Sequence, residues 1–245
     1  MNLEWFWIER YRTVAQVAGS IASTRGPAPE PDPFLGNPVM NPTSVIVRFD
    51  QVAEQAAGSV LRILGFARAR ELLQLFDSAD LEANPRSAKA GQVTEDILES
   101  ILETPDTFVF KTKGILVGAS SYEKLQRNRY RLTFENTKIE GILDGGHNAL
   151  AIGTHILIAA LSDEAVKRKI RRWPEFKDMW DEHRDEIEAL RKIKPDEDEY
   201  DAGALDFLVP IEILVPSDLE SDVAMEEFNR SLLSKIGRAS CRERV

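Results

Sequence analysis

The chain has 245 residues, 43% of them hydrophobic and 29% charged, with a formal net charge of −10. That length suits one or two domains with a proper core, and the acidic balance opposes indiscriminate nucleic-acid binding while allowing a local basic patch. No uninterrupted apolar run approaches membrane-spanning length, and residues 1–24, broken by Glu4, Glu9, Arg10 and Arg12, do not read as a secretory signal, so a cytoplasmic protein without a membrane partner is expected.

Leu3, Phe6, Trp7, Tyr11, Val14 and Val17 recur at helical spacing and predict an amphipathic helix over residues 1–25. Its aromatic face would pack on the protein itself, serve self-association or dock a partner as an interaction scaffold. Residues 26–43, with six prolines, read as an extended linker. A folded domain is expected over residues 44–235. It opens with strands at 44–49 and 60–66 and a helix at 67–76 that turns Leu72, Leu73 and Phe76 inward. A polar loop follows at 80–86, where Pro85 keeps Asn84 out of helical conformation. Thr94 reads as the N-cap of a helix with Ile97, Leu98, Ile101 and Leu102 on its buried stripe, and Pro105 stops it. Residues 107–122 contain two short apolar runs around Lys113 and Gly114 and, with 130–135, suggest an antiparallel meander. Its connection carries Lys124, Arg127 and Arg129, either a solvated hairpin tip or a phosphate-contacting one.

The chain then runs extended to Ile139, Ile142 and Leu143, turns through Asp144, Gly145, Gly146, His147 and Asn148, and enters a helix of about four turns marked by Leu150, Ala151, Thr154, Ile158 and Leu161. Ser162 is expected to cap a short basic helix containing Lys167, Arg168, Lys169, Arg171 and Arg172. Pro174 opens another, with Phe176, Trp180, His183, Ile187 and Leu190 along one side and His183 packed rather than ligating. After an acidic loop at 196–201, residues 204–216 alternate as a strand, which Pro210 assigns to a sheet edge. Ser221 caps a last helix that turns Met225, Phe228 and Leu232 inward. Together these segments predict an α/β (α+β) fold, a mixed, largely antiparallel sheet flanked by helices.

Residues 236–245 resemble a translated sequencing adapter and are read as an artefact, with the natural chain expected to continue past Lys235. Removing their three arginines and one glutamate leaves 28 basic and 40 acidic residues, a net charge of −12. Cys241 leaves with them, so no disulfide, thiolate nucleophile or cysteine-bound zinc is available.

The glycine turn is the candidate site. A strand that turns through two glycines into a helix aims backbone N–H groups and the positive end of the helix dipole at one point, which favours an anion such as phosphate. Asp144 adds an acceptor and His147 a titratable ring, the alternative being a structural turn capped by Asp144. No G-x-x-x-x-G-K-[ST], G-x-S-x-G or H-E-x-x-H motif occurs. His147 and His155 share a helix face but stand two turns apart, too far to meet on a metal, so neither a metal nor another cofactor is expected.

Four segments carry a family resemblance: E-A-N-P-R at 82–86, P-D-T-F at 105–108, K-G-I at 113–115 and G-I-L-D-G-G-H at 141–147. Their order resembles the AIPR (abortive infection phage resistance) family, over roughly residues 44–235. The D-G-G-H turn is also similar to the D-G-Q-H-R motif of DNA-modification regulators and to the strand–turn–helix of ParB/sulfiredoxin-like folds. The resemblance implies a phage-defence protein with a nucleotide or nucleic-acid site built from Asn84, Arg86, Lys113, Asp144, Gly145, Gly146, His147 and Asn148. Asn148 stands where many members have Thr or Arg, and Arg86 could supply the missing charge. The alternative activity is a phosphate-directed hydrolase or nucleotidyl-transfer enzyme with His147 as acid–base and Asp144 orienting it.

Overall fold

More and less buried side chains alternate along β-strands such as those at 60–64 and 208–213, a period of two that lets two sheets form. The computed structural model describes residues 43–84, 88–135, 140–192 and 204–218. The expected N-terminal helix, the linker up to residue 42, Arg86, Ile139, the acidic loop, the last helix and residues 236–245 lie outside the described residues.

In chain order the first elements are β1 (Thr43–Arg48), β2 (Gln51–Ala57), β3 (Val60–Arg68), a one-turn 3-10 helix (Ala69–Glu71), α1 (Leu72–Ser78), α2 (Gln92–Glu103) and α3 (Pro105–Lys111). Next come β4 (Ile115–Gly118), β5 (Ser121–Leu125), β6 (Arg129–Phe134) and β7 (Gly141–Asp144). The rest are α4 (Gly146–Leu161), α5 (Val166–Lys169), α6 (Trp173–Glu182), α7 (Arg184–Lys192) and β8 (Leu208–Pro216). The strands form a three-stranded sheet, β1-β6-β5, and a five-stranded sheet, β2-β3-β8-β4-β7. Every pairing is antiparallel except β4 with β8. The fold is therefore α/β, with mostly antiparallel sheets flanked by helices, as the segment pattern predicts.

Helix α4 is the centre of the core. All its residues from Ala149 to Ala160 are buried, because a helix apolar on every side must be surrounded. It packs against α2, α5, α6 and α7. Gly153 admits the Phe176 ring so closely that a Cβ there would stand 2.4 Å from two ring carbons. That ring belongs to an aromatic group with Phe76, Trp173 and Trp180, mostly edge to face. Both indoles find carboxylates, Trp173 Nε1 donating to Asp80 (2.6 Å) and Trp180 Nε1 to Asp77 (2.8 Å).

Several segments differ from their sequence reading. β2 was not expected, since QVAEQAA is exposed almost throughout and shows no period; it forms by hairpin pairing with β3 across Gly58. Residues 105–111 are helix rather than strand: Pro105 both ends the preceding helix and opens α3, whose buried Phe108 meets Phe207 edge-on. The N-cap of α2 is Gly91, and Thr94 faces the interior instead. β3 continues to Arg68, so α1 begins only at Leu72. Ser162 is the left-handed C-cap of α4, and the basic helix spans only Val166–Lys169. The stripe from Phe176 to Leu190 crosses two helices that break at His183.

Pro210 does not lie on an edge strand; β8 is the central strand of five. Phe66 O accepts from Asp50 N, so Phe66 directs its backbone groups at β2, and Pro210, its partner in register, turns its own away from β3. On that side β4 begins only opposite Ile211, so the missing N–H of Pro210 removes no ladder bond.

Candidate functional site

The turn between β7 and α4 is set by close packing on β4. A bulge falls between the pairs Leu116–Asp144 and Val117–Ile142, leaving Leu143 unpaired. Gly145 then takes a left-handed conformation (φ +81°). A Cβ there would stand 2.3 Å from Gly114 O and 3.0 Å from Ile115 Cα. Gly145 is thus required by the fold on two independent counts. Gly146 differs: its nearest neighbours would be Ala88 Cβ at 3.3 Å and Asn84 Nδ2 at 3.5 Å, and its backbone is helical.

The backbone donors follow from this geometry. Asp144 Oδ1 accepts from Gly145 N (2.7 Å), and the first helical bond runs from Ala149 N to Gly145 O (2.8 Å). Among the described residues no side chain caps α4. The N–H groups of Gly146, His147 and Asn148 accordingly have no intrahelical acceptor. Asp144 therefore does not close the helix end, and its second oxygen faces solvent as an acceptor only.

Side chains from three other segments border this end. Asn148 Nδ2 donates to Gly114 O (2.7 Å), clamping the turn to the start of β4. That use makes Asn148 a structural group and explains an uncharged residue there. Lys113, next to Gly114, is exposed and makes no ion pair among the described residues. Asn84 borders Gly146 from the loop after α1.

His147 is held by a residue that the sequence reading placed elsewhere. Thr94 Oγ1 lies 3.1 Å from Lys89 O and 3.1 Å from His147 Nδ1, and Thr94 is buried. A carbonyl can only accept, so both contacts are hydrogen bonds only if the hydroxyl donates to Lys89 O and the imidazole donates through Nδ1–H. In the neutral ring Nε2 is then an acceptor, on an exposed side chain. Thr94, not Asp144, orients His147. Its spacing with Leu98 and Ile101, four and seven residues on, is the sequence signal that it shares their buried face.

Of the expected site residues, Asn84, Lys113, Asp144, Gly145, Gly146, His147 and Asn148 gather at this one turn, and Arg86 lies outside the described residues. His155 stands apart, buried in α4 with Nε2 donating to Ala204 O (2.7 Å). No helix among the described residues is long and apolar enough to cross a membrane. No family model, curated protein or solved structure matches the chain.

Proposed function

We propose that this chain is a phage-defence protein of the AIPR type that binds a nucleotide or nucleic-acid phosphate at the turn formed by residues 144–148. The observation that carries the binding reading is the uncapped end of α4, with three N–H groups unclaimed by the helix beside the exposed Lys113. Gly146 is less constrained than Gly145: a Cβ there would press on Ala88 Cβ at 3.3 Å, tight by a few tenths of an ångström, and no backbone atom lies as near as Gly114 O does to Gly145. Asp144 suits the other part of a nucleotide: its open oxygen would accept from a sugar hydroxyl or a base amino group. Titration with ATP and short oligonucleotides tests this. Lys113→Ala should weaken binding by about 1–3 kcal/mol, the cost of one charged contact. Its melting temperature should not change. Arg86→Ala belongs in the same series and should abolish phage protection in cells. Equal affinities in wild type and Lys113→Ala would leave only a structural turn.

One observation favours the enzymatic alternative. Donation of Nδ1–H to Thr94 leaves Nε2 able to take a proton from an attacking water or hydroxyl group. A phosphate-directed hydrolase would then lose turnover in His147→Gln while retaining nucleotide affinity. Absence of phosphate or pyrophosphate release by the wild type would reject that reading and leave binding intact.

A further inference from the structure

The end of the five-stranded sheet that bears the glycine turn also bears an open cleft of about 590 Å³, lined by residues including Arg48, Asp50, Gln51, Arg68, Arg127 and Asn128. Register places the two together. Asp144 pairs with Leu116, Ile115 with Ile211, Pro210 with Phe66, and Phe66 with Gln51. Four strand steps separate turn from cleft, about 19 Å at the usual interstrand spacing.

Two of the arginines that line the cleft are placed where they work against the fold. Arg68 is paired with Asp50 at 3.0 Å. Arg48 and Arg127 are exposed and make no ion pair among the described residues, although the half-buried Glu71 accepts the Arg48 backbone N–H and feels its charge. Arg48 stands directly opposite Arg129 in the β1–β6 register, an arrangement of like charges that destabilises a strand pair. Arg127 is the middle residue of the three that join β5 to β6 and stands at φ +61°, where glycine or asparagine is at ease and arginine is strained. Two unfavourable placements converge on one cleft, and an anionic ligand would offset both. Between cleft and turn stands Phe66, 36% exposed and flanked by Gln51 and Pro210 on the same face. Cations on both sides of an exposed ring make up the surface on which single strands stack their bases.

We propose that a single-stranded nucleic acid lies along this sheet end, with one phosphate at the glycine turn, a base on Phe66 and another phosphate in the Arg48–Arg127 cleft. This rests on the phosphate reading of the turn for one of its two ends. A mononucleotide is too short to reach both, and a duplex hides the base faces that Phe66 would stack.

The test uses the full chain, a fluorescent oligothymidylate of about twelve nucleotides, within the range of sites that track a single strand, the matching duplex, and ATP. The double variant Arg48→Ala/Arg127→Gly should bind the single strand about tenfold or more weakly. Its log–log salt slope should be shallower by about 0.7, one phosphate's worth for single strands. Its ATP affinity should not change, and its melting temperature should hold or rise, because both placements oppose folding. Phe66→Ala should weaken the single strand and spare ATP. Unchanged single-strand affinity and slope in the arginine variant would overturn the proposal, and so would a duplex bound as tightly as the single strand. If ATP binding meanwhile still depends on Gly146, the turn reading survives that failure. Loss of single-strand binding in the arginine variant with no effect of Gly146→Ala would sink the turn reading and, with it, the continuous path.

Discussion

Gly114 O occupies the place where a side chain at Gly145 would stand, 2.3 Å from the position of its Cβ. The two adjacent glycines of the turn therefore have different causes. Gly145 is held by its neighbours and by φ +81°, whereas Gly146 has a helical backbone and would meet only Ala88 Cβ closely, at 3.3 Å. Gly145→Ala should cost on the order of 3 kcal/mol, from the left-handed penalty plus the displaced β4 backbone. Gly146→Ala should change stability by less than about 1 kcal/mol and weaken phosphate ligands instead. Thermal unfolding alongside nucleotide titration separates them. Equal losses of stability in both variants would remove the case for Gly146 as a ligand position.

Thr94→Val keeps the buried volume and removes the hydroxyl that joins Lys89 O to His147 Nδ1. A loss of about 1–2 kcal/mol is expected, because the Lys89 carbonyl loses its donor. Thr94→Ser should restore it. Nitrogen NMR of the ring supplies the sharper reading: the wild type should carry its neutral-form proton on Nδ1, and Thr94→Val should not hold that tautomer. A wild-type ring protonated on Nε2 would contradict the assignment.

Gly153→Ala tests the core against α6. Alanine is the better helix former by about 1 kcal/mol, but its Cβ would meet the fully buried Phe176 ring, which three other aromatic side chains confine. Overpacking should win, with a net loss of about 1–3 kcal/mol. Adding Phe176→Leu should recover part of that loss in a double-mutant cycle.

Glu54 connects the two sheets: it accepts from the Tyr130 hydroxyl at 2.5 Å and pairs with Lys124 at 2.8 Å. The Lys124 contact, then the Tyr130 hydrogen bond, hold its carboxyl below the ordinary value of 4.5. A depressed folded-state value means that the unfolded chain binds the proton more readily. The stabilisation is thus complete above the ordinary carboxylate range and fades as pH falls through the depressed value. Glu54→Gln should lower stability near neutral pH by on the order of 1 kcal/mol, discounted because the carboxylate is partly exposed. Acid titration of the unfolding midpoints should bring wild type and variant together. A gap that widens toward acid would have the wrong sign.

Local covalent constraint and period were legible in the sequence. Apolar runs identified β1 and β3, alternation identified β8, helical spacing identified α2 and α4, and the two glycines located the abrupt change from β7 to α4. The gathering of Asn84, Lys113 and residues 144–148 was expected from the resemblance, and their placement at one sheet end follows from the pairing of β4 with β7 and β8. Only the tertiary structure decided what has no local cause. β2 exists because β3 offers it an edge, and Pro210 lies at the centre of a sheet because its absent N–H points past the start of β4. Thr94 became a partner of His147 rather than a helix cap once α2 packed on α4 and set a hydroxyl beside the ring. A residue's period can be read along the chain, but its hydrogen-bond partner depends on which element crosses it, and that is set by how the whole core closes.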